Sequence, residues 1–531
     1  MRLKIKHIAF LVALCSTAMV EARPRLAVNI VISGLRQSDI ARYEKNFCKD
    51  GFLRLRNEGV EFAECYANYA PTTPEAGLAT FATGTTPAIH GIFSSVCYDR
   101  TFNKEVALCS KAVAEDNSIR KEVEVGYSTQ PFVAQTLAEV VVASSPHNRA
   151  ITIAHNPLSA MILAGRRGEC YWLSEEGKWS SADCYTELLP SWVQNCNRDE
   201  INRIFATDIW YGRYTNERYL NTRATDITIY EKGKAKQPRS QRKMKDGWVE
   251  SLRQMPSGNL AIFEFAKRAI GALLPLHIDD KCKVLNICLD VPRTIAEKYG
   301  TDSIEYEDML YSLDASLADF ITFLYAQSAT REDVLLVVTS DSGMSPTVAE
   351  NGDAVRFNTR QFEVIMNAFL SARYGQDRWI LGYSDGSLYL NHDVIYRHKK
   401  SLTEVQNEVA TFALQYRGIA ATATATAMRS AQFSSGTMAM IQNGYNPRRS
   451  GDVLVVLDPE RIELDYGKMA MSGSAYAYDR HIPLFILGGD TVPFRIERRV
   501  TSDQIAPSLA KILGVDRPQC SDAEILITRG R

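Results

Sequence analysis

Leu26-Ala27-Val28-Asn29-Ile30-Val31-Ile32 is a seven-residue run with a single polar side chain, followed at once by Ser33-Gly34. It lacks the apolar/polar alternation of a strand with one wet face, so it reads as a strand buried on both faces. Similar runs recur at Ala150 to Ala154, Lys283 to Leu289, Asp333 to Thr339, Asp452 to Leu457 and Pro483 to Leu487. Between them lie segments with apolar residues three and four apart, including Glu307 to Ala326 and Ser502 to Leu513. Strand and helix in alternation predict an α/β fold, a central and mostly parallel sheet sandwiched by helices. In such sheets chemistry sits at the carboxyl ends of the strands, so the residues just after each run carry the functional reading.

The chain has 531 residues, 45% hydrophobic and 23% charged, with 61 basic against 62 acidic side chains. It is too apolar and too nearly neutral to be disordered, and too long to depend on disulfides for its core. A net charge of −1 gives no global attraction for nucleic acid or an acidic membrane. Arg2, Lys4 and Lys6 precede an apolar run from Ile8 to Val20, and Val20-Glu21-Ala22 offers small residues at the two positions a signal peptidase reads. Residues 1–22 therefore predict a secretory signal peptide cleaved near Ala22, the run being too short to span the ~30 Å of a bilayer core. No later segment is apolar for ~18 residues, so the expected mature chain is soluble, without a transmembrane segment, and periplasmic or otherwise exported. Ten cysteines remain after cleavage. In an oxidising compartment an even number allows disulfides, with Cys97–Cys109 and Cys170–Cys184 as the preferred local pairs; several isolated buried thiols are the equal alternative.

From Cys170 to Leu274 the texture changes, with five of the six tryptophans (Trp172, Trp179, Trp192, Trp210, Trp248) and many Tyr and Arg. This predicts a core in two parts, 23–169 and 276–531, interrupted by a cap at 170–275. Within the cap, Lys232 to Lys245 carries seven Lys or Arg in fourteen residues, and Gly233 and Pro238 break any helix. It reads as a solvated loop, with docking of an anionic partner as the alternative.

Asn68-Tyr69-Ala70-Pro71-Thr72 running to Ala82-Thr83-Gly84, then Pro87-Ala88-Ile89-His90-Gly91-Ile92, resembles the nucleophile region of the alkaline phosphatase superfamily, type I phosphodiesterase/nucleotide pyrophosphatase group. The likeness is greatest to the phosphate-irrepressible, single-Thr periplasmic alkaline phosphatases. Leu188-Leu189-Pro190-Ser191-Trp192-Val193-Gln194 looks like the start of their cap. Asn443-Gly444-Tyr445-Asn446-Pro447-Arg448-Arg449-Ser450-Gly451-Asp452-Val453 and Tyr478-Asp479-Arg480-His481-Ile482-Pro483-Leu484 look like their C-terminal region. The similarity runs in consistent order from about Pro24 to Leu526.

The resemblance implies a two-zinc phosphate or sulfate ester hydrolase, in which about six Asp and His ligands hold two metal ions that polarise the ester and activate a threonine. Position by position, the chain departs from that set. The first ligand Asp falls on Ser33, in Ser33-Gly34-Leu35-Arg36, and the nucleophilic Thr falls on Pro74, with Thr73 and Thr72 as the nearest hydroxyls. The Asp-x-x-x-His before an aromatic-Gly pair, here Tyr299-Gly300, falls on Arg293 and Glu297. Asp-His-Gly becomes Asp341-Ser342-Gly343, and the last His becomes Ser472 in Ser472-Gly473-Ser474. The Lys-x-Arg pair that holds phosphoryl oxygens lines up with Asn156 and Leu158, and the Asn beside Trp-Tyr-Asp is missing from Ser95-Val96-Cys97-Tyr98-Asp99. Only Asp341 stays in place. His90 and His481 lie in preserved stretches and read as core or supporting residues.

One carboxylate cannot hold two zinc ions, so the expectation is no cofactor and no catalytic residue. The chain then reads as a pseudoenzyme, a binding or assembly component of the cell envelope with an envelope protein partner. The alternative is an active phosphomonoesterase, phosphodiesterase or sulfatase-type hydrolase using Thr72 or Thr73 and a rearranged zinc or magnesium site, with Asp341, Asp290 and Glu297 as hard oxygen ligands. Loss of two dications would leave Asp341 a costly buried anion. The inactive reading therefore expects Arg293 to supply its counter-charge, and Ser33, Ser342 and Ser472 to donate hydrogen bonds to it.

Overall fold

The structure is a computed structural model that describes residues 23–99, 104–111, 123–199, 202, 205, 209–231, 234–236, 248–273, 282–328, 330–348, 356–465 and 467–526. The expected signal peptide lies outside these residues, as does most of Lys232 to Lys245.

Nine strands form the main sheet, in the spatial order Phe494–Ile496, Val60–Phe62, Leu484–Gly488, Val334–Thr339, Leu26–Ile32, Lys283–Leu289, Arg149–Ala154, Glu169–Leu173 and Trp179–Ser180. The run from Val334–Thr339 to Glu169–Leu173 is parallel, and Leu484–Gly488 and Trp179–Ser180 pair with it antiparallel. Side chains alternate between faces along each strand. Leu26, Val28, Ile30 and Ile32 enter a layer shared with the helices Ser257–Leu273 and Ile304–Ala326, where Phe263 stacks on Phe320 at 4.8 Å. Ala27 and Val31 enter the opposite layer, with the helices Pro74–Thr83, Pro157–Ala164 and Ile505–Leu513. The one polar residue of the opening strand is matched: Asn29 Nδ2 donates to Asn286 Oδ1 at 2.8 Å, and Asn286 Nδ2 to Thr152 Oγ1 at 3.3 Å. The three residues share one register across adjacent strands, so buried polar groups serve one another.

A second body follows. Ile380–Ser384, Ser387–Leu390, Val453–Leu457 and Ile419–Thr424 make a four-stranded antiparallel sheet, packed by the helices Thr359–Tyr374 and Leu402–Ala413 around Phe357, Phe362, Trp379 and Val405. Its first hairpin turns on Asp385-Gly386, with φ of 40° and 75°, the positive pair that matches strand twist.

Three sequence expectations need correction. The Asp452 to Leu457 run, expected in the parallel sheet, lies in the antiparallel one, where its last residues are only half-buried. The expected cap start at 170 falls within the main-sheet strand Glu169–Leu173, and Trp179–Ser180 and Ser257–Leu273, inside the expected cap, belong to or pack on that sheet, while residue 275 lies outside the described residues. Tryptophans such as Trp172 and Trp179, read as cap, are fully buried in the core. The ten cysteines from Cys48 to Cys520 are all free thiols. In the hairpin of Val96–Asp99 with Lys104–Ala107, Cys97 faces Val106, and Cys109 lies beyond the paired stretch. No helix among the described residues is long and apolar enough to cross a membrane.

Candidate functional site

The parallel strands deliver Ser33, Asn156, Asp290 and Asp341 to one edge of the sheet, just past Ile32, Ala154, Leu289 and Thr339. Asp341 is 2% exposed; its Oδ1 accepts from Gly34 N and from Ser342 Oγ, each at 3.2 Å, and its Oδ2 has no partner. Burial pushes this carboxyl up to about 6, against the opposing pull of Ser33 and the Arg293 charge.

Arg293 lies on the helix Val291–Tyr299, where residues three and four apart share a face. Its Nη1 donates to Glu297 Oε1 at 3.1 Å, its Nη2 lies 3.8 Å from Asp290 Oδ1, and its Nε donates to Ser33 Oγ at 3.1 Å. The expected ion pair from Arg293 to Asp341 is therefore not formed. Helical spacing gives the guanidinium to Glu297 and Asp290, and it acts on Asp341 only at longer range, beside the Ser33 hydroxyl it binds. Gly34, at φ +79°, carries the chain past this helix, since a Cβ there would stand 3.2 Å from both Arg293 Cα and Cβ.

Pro74 opens the helix Pro74–Thr83 at a position where its missing N–H costs nothing, and it offers no nucleophile. The fallback hydroxyls are engaged in the fold. Thr73 caps the helix, accepting from Ala76 N at 3.2 Å and donating to Phe93 O at 2.8 Å, and Thr72 Oγ1 donates to Ser474 O at 2.6 Å. The helix lies hard against Asp341, since a Cβ on Gly77 would meet Asp341 O at 1.9 Å. Half-buried Glu75 follows; burial pushes it up to about 7, opposed by Arg293.

The phosphoryl-holding positions have become structural. Asn156 caps Pro157–Ala164 by accepting from Leu158 N at 2.8 Å, and Leu158 packs on the second apolar layer. Asp290 accepts from Asn156 N at 3.2 Å and Ser159 Oγ at 2.9 Å. Ser472 makes no hydrogen bond to Asp341, contrary to expectation; it lines a neighbouring cavity with Gly473 and Ser474. His90 is buried, with Nδ1 accepting from Ile92 N and Nε2 3.2 Å from Thr80 Oγ1, while His481 stacks on Tyr66 at 4.3 Å.

These residues do not fit a pair of zinc ions or a hard-metal site. Among the described residues no three His, Cys, Asp or Glu are disposed to hold a metal. Of the alternative set Asp290, Glu297 and Asp341, the first two are already ion-paired with the Arg293 guanidinium, at 3.8 and 3.1 Å.

Other groups were not visible as a site in the sequence. Asp385, Glu463, Tyr383 and Asp479 line a cavity between the main core and the second body, together with Ser472. The Asp385-Gly386 pair was legible as a turn, but nothing local announces that its tip meets the core.

The model of the family described as type I phosphodiesterase / nucleotide pyrophosphatase matches residues 27–470. The chain belongs to this family. A relative named calcium-transporting ATPase, from Myroides odoratus, is 26% identical over 517 residues, 93% of each chain. Alkaline phosphatase PhoV of Synechococcus elongatus is 25% identical over 568 residues, 99% of each chain. The crystal structure of wild-type alkaline phosphatase PafA matches with a TM-score of 0.83 at 21% identity, over 95% of this chain and 98% of that one. The last likeness establishes the alkaline-phosphatase-like fold, including its mostly parallel sheet. Within the type I phosphodiesterase family, this member combines that frame with Ser33, Pro74, Arg293, Glu297, Ser342 and Ser472 at the positions read above as ligands and nucleophile.

Proposed function

We propose that this family member has lost ester hydrolysis and serves, outside the cytoplasm, as a binding or assembly component of the cell envelope. The observation that carries the reading is Arg293: a guanidinium bonded to Ser33, Glu297 and Asp290 occupies the strand ends where the resemblance implies metal, while Pro74 stands in for the nucleophile. Export is argued from residues 1–22 of the sequence, and an anionic docking role for Lys232 to Lys245 from its charge alone. The competing reading, an active phosphate or sulfate ester hydrolase, draws on relatives named alkaline phosphatases. It needs a free hydroxyl, and both Thr72 and Thr73 donate theirs to backbone carbonyls.

Zinc content and p-nitrophenyl phosphate turnover of the purified chain test the proposal together. The expected result is a metal-free, inert protein that co-purifies with envelope proteins. Zinc near two equivalents, with turnover abolished by Asp341→Ala, would overturn it.

A further inference from the structure

The cavity beside Ser472 is about 80 Å³, room for a ligand of roughly four to six heavy atoms by the space an ordered water needs. Its lining is of two kinds. Pro71, Phe93, Ile441, Leu454 and Val456 supply apolar wall, while Asp385, Glu463 and Asp479 supply carboxyl groups, with Tyr383 and Tyr478 beside them. Asp385 sits on the hairpin tip, its Oδ2 accepting from Ser94 and Ser384. Asp479 is 1% exposed; its Oδ2 accepts from Ser474 N at 2.7 Å, and its Oδ1 has no partner.

The cations nearby do not balance these acids. Lys468 acts on Asp385 and Glu463, but its ammonium lies 3.4 Å from Glu297. Arg36 acts on Asp479, but is bound at 2.7 Å to Asp39. Arg461 is the single Lys or Arg among the lining residues, against three acidic residues, and its guanidinium lies beside Gly418. Burial and the neighbouring Asp385 push Glu463 up to about 8, and burial pushes Asp479 up to about 7, so near neutrality both are partly protonated. A buried acid in that state gains from any cation that reaches it.

We infer that this cavity binds a small organic cation, a primary ammonium on a short alkyl arm, with the ammonium at the neighbouring carboxyls of Asp385 and Glu463 and the arm on the apolar wall. The inference rests on the non-catalytic reading, in which Ser472 borders a ligand cavity in place of a metal centre. An anionic ligand would meet three carboxyls. A metal ion would need a ligand cluster that the described residues do not form.

Calorimetric titration of the full chain with n-propylamine at pH 6 and pH 8 tests it, with propionate and n-propanol as comparisons. The amine is charged at both pH values, so any pH dependence belongs to the protein. Saturable one-site binding is expected, tighter by roughly fiftyfold at pH 8 because the Glu463 proton must first leave. Glu463→Gln should weaken binding about tenfold and flatten the pH dependence; Asp385→Asn, the second variant should the first not fold, should weaken it similarly. No saturable binding at pH 8 would overturn the inference. So would equal affinity for propionate or n-propanol, or a bound divalent ion that propylamine cannot displace. Turnover of p-nitrophenyl phosphate, measured on the same preparation, separates the two claims: activity refutes the non-catalytic reading, whereas an inert protein that ignores propylamine refutes only this inference.

Discussion

Asp341→Asn should make the protein more stable at pH 8, the opposite of what the same change does to a carboxylate held by a cation. The side chain keeps its shape, and an amide oxygen can still accept from Gly34 N and Ser342 Oγ. Burial raises the wild-type carboxyl from 3.8 to about 6. Between those values the folded chain holds a proton that the unfolded chain has released, so stability falls as pH rises through this window, and the loss is complete above the folded value. That separation, about 2 pH units at ~1.4 kcal/mol per unit, makes ionised Asp341 a burden of about 3 kcal/mol at pH 8. The new amide N–H group, placed where Oδ2 has no partner, takes back about 1 kcal/mol, leaving a net gain of about 2 kcal/mol. Unfolding entropy of ~2.1 cal/mol/K per residue over a chain this long gives roughly 1 °C per kcal/mol, so Tm should rise by about 2 °C at pH 8 and nearly coincide with wild type at pH 4. Differential scanning calorimetry of both proteins at the two pH values measures this. A variant less stable than wild type at pH 8 would refute the reasoning, because it would mean that the carboxylate has a cationic partner, metal or otherwise.

Arg293→Met strands Asp290 and Glu297 beside an apolar side chain, and removing one member of a buried charge cluster costs about 3–5 kcal/mol, the lower end here because Lys468 still holds Glu297. Urea unfolding at pH 8 should show a clear drop in midpoint; an unchanged midpoint would show that the guanidinium is not the counter-charge of this site. A sextuple variant, Ser33→Asp, Pro74→Thr, Arg293→Asp, Glu297→His, Ser342→His and Ser472→His, should gain zinc toward two equivalents by elemental analysis where wild type gains none. If it stays metal-free, the strand ends are not in the register the resemblance implies.

The parallel core was legible because its strands are buried on both faces. Leu26 to Ile32 and Lys283 to Leu289 leave no polar face to confuse the period, and even Asn29 is answered by Asn286 on the neighbouring strand. The antiparallel body was not legible. Asp452 to Leu457 has the same apolar texture as a core strand, and its partners, Ser387–Leu390 and Ile419–Thr424, are set by long-range pairing that no local pattern records. Similarly, the positions of Ser33, Pro74 and Asp341 could be read one by one, but not where their side chains bond. Arg293 was expected on Asp341 from proximity in the site; the four-residue helical spacing to Glu297 was present in the sequence and decides the pairing instead.

The substitutions form a charge argument that also explains why the cavity acids sit where they do. In the ligand set implied by the resemblance, two dications outweigh three Asp carboxylates. At the positions the resemblance implies, two of those carboxylates are replaced by Ser33 and Arg293, and Glu297 stands in place of a neutral His. Arg293 pairs with Glu297 and Asp290 and Lys468 with Glu297, so these two cations offset those two carboxylates. Asp341 keeps neither, and burial raises its carboxyl, as it does Glu75 on the adjoining helix and Asp479 in the cavity wall. Under the proposed loss of catalysis, the strand ends keep one carboxyl, Asp341, with no cation in contact among the described residues. Any ligand that the frame still selects should therefore bring a cation, and should bind more tightly as pH rises and these carboxyls lose their protons.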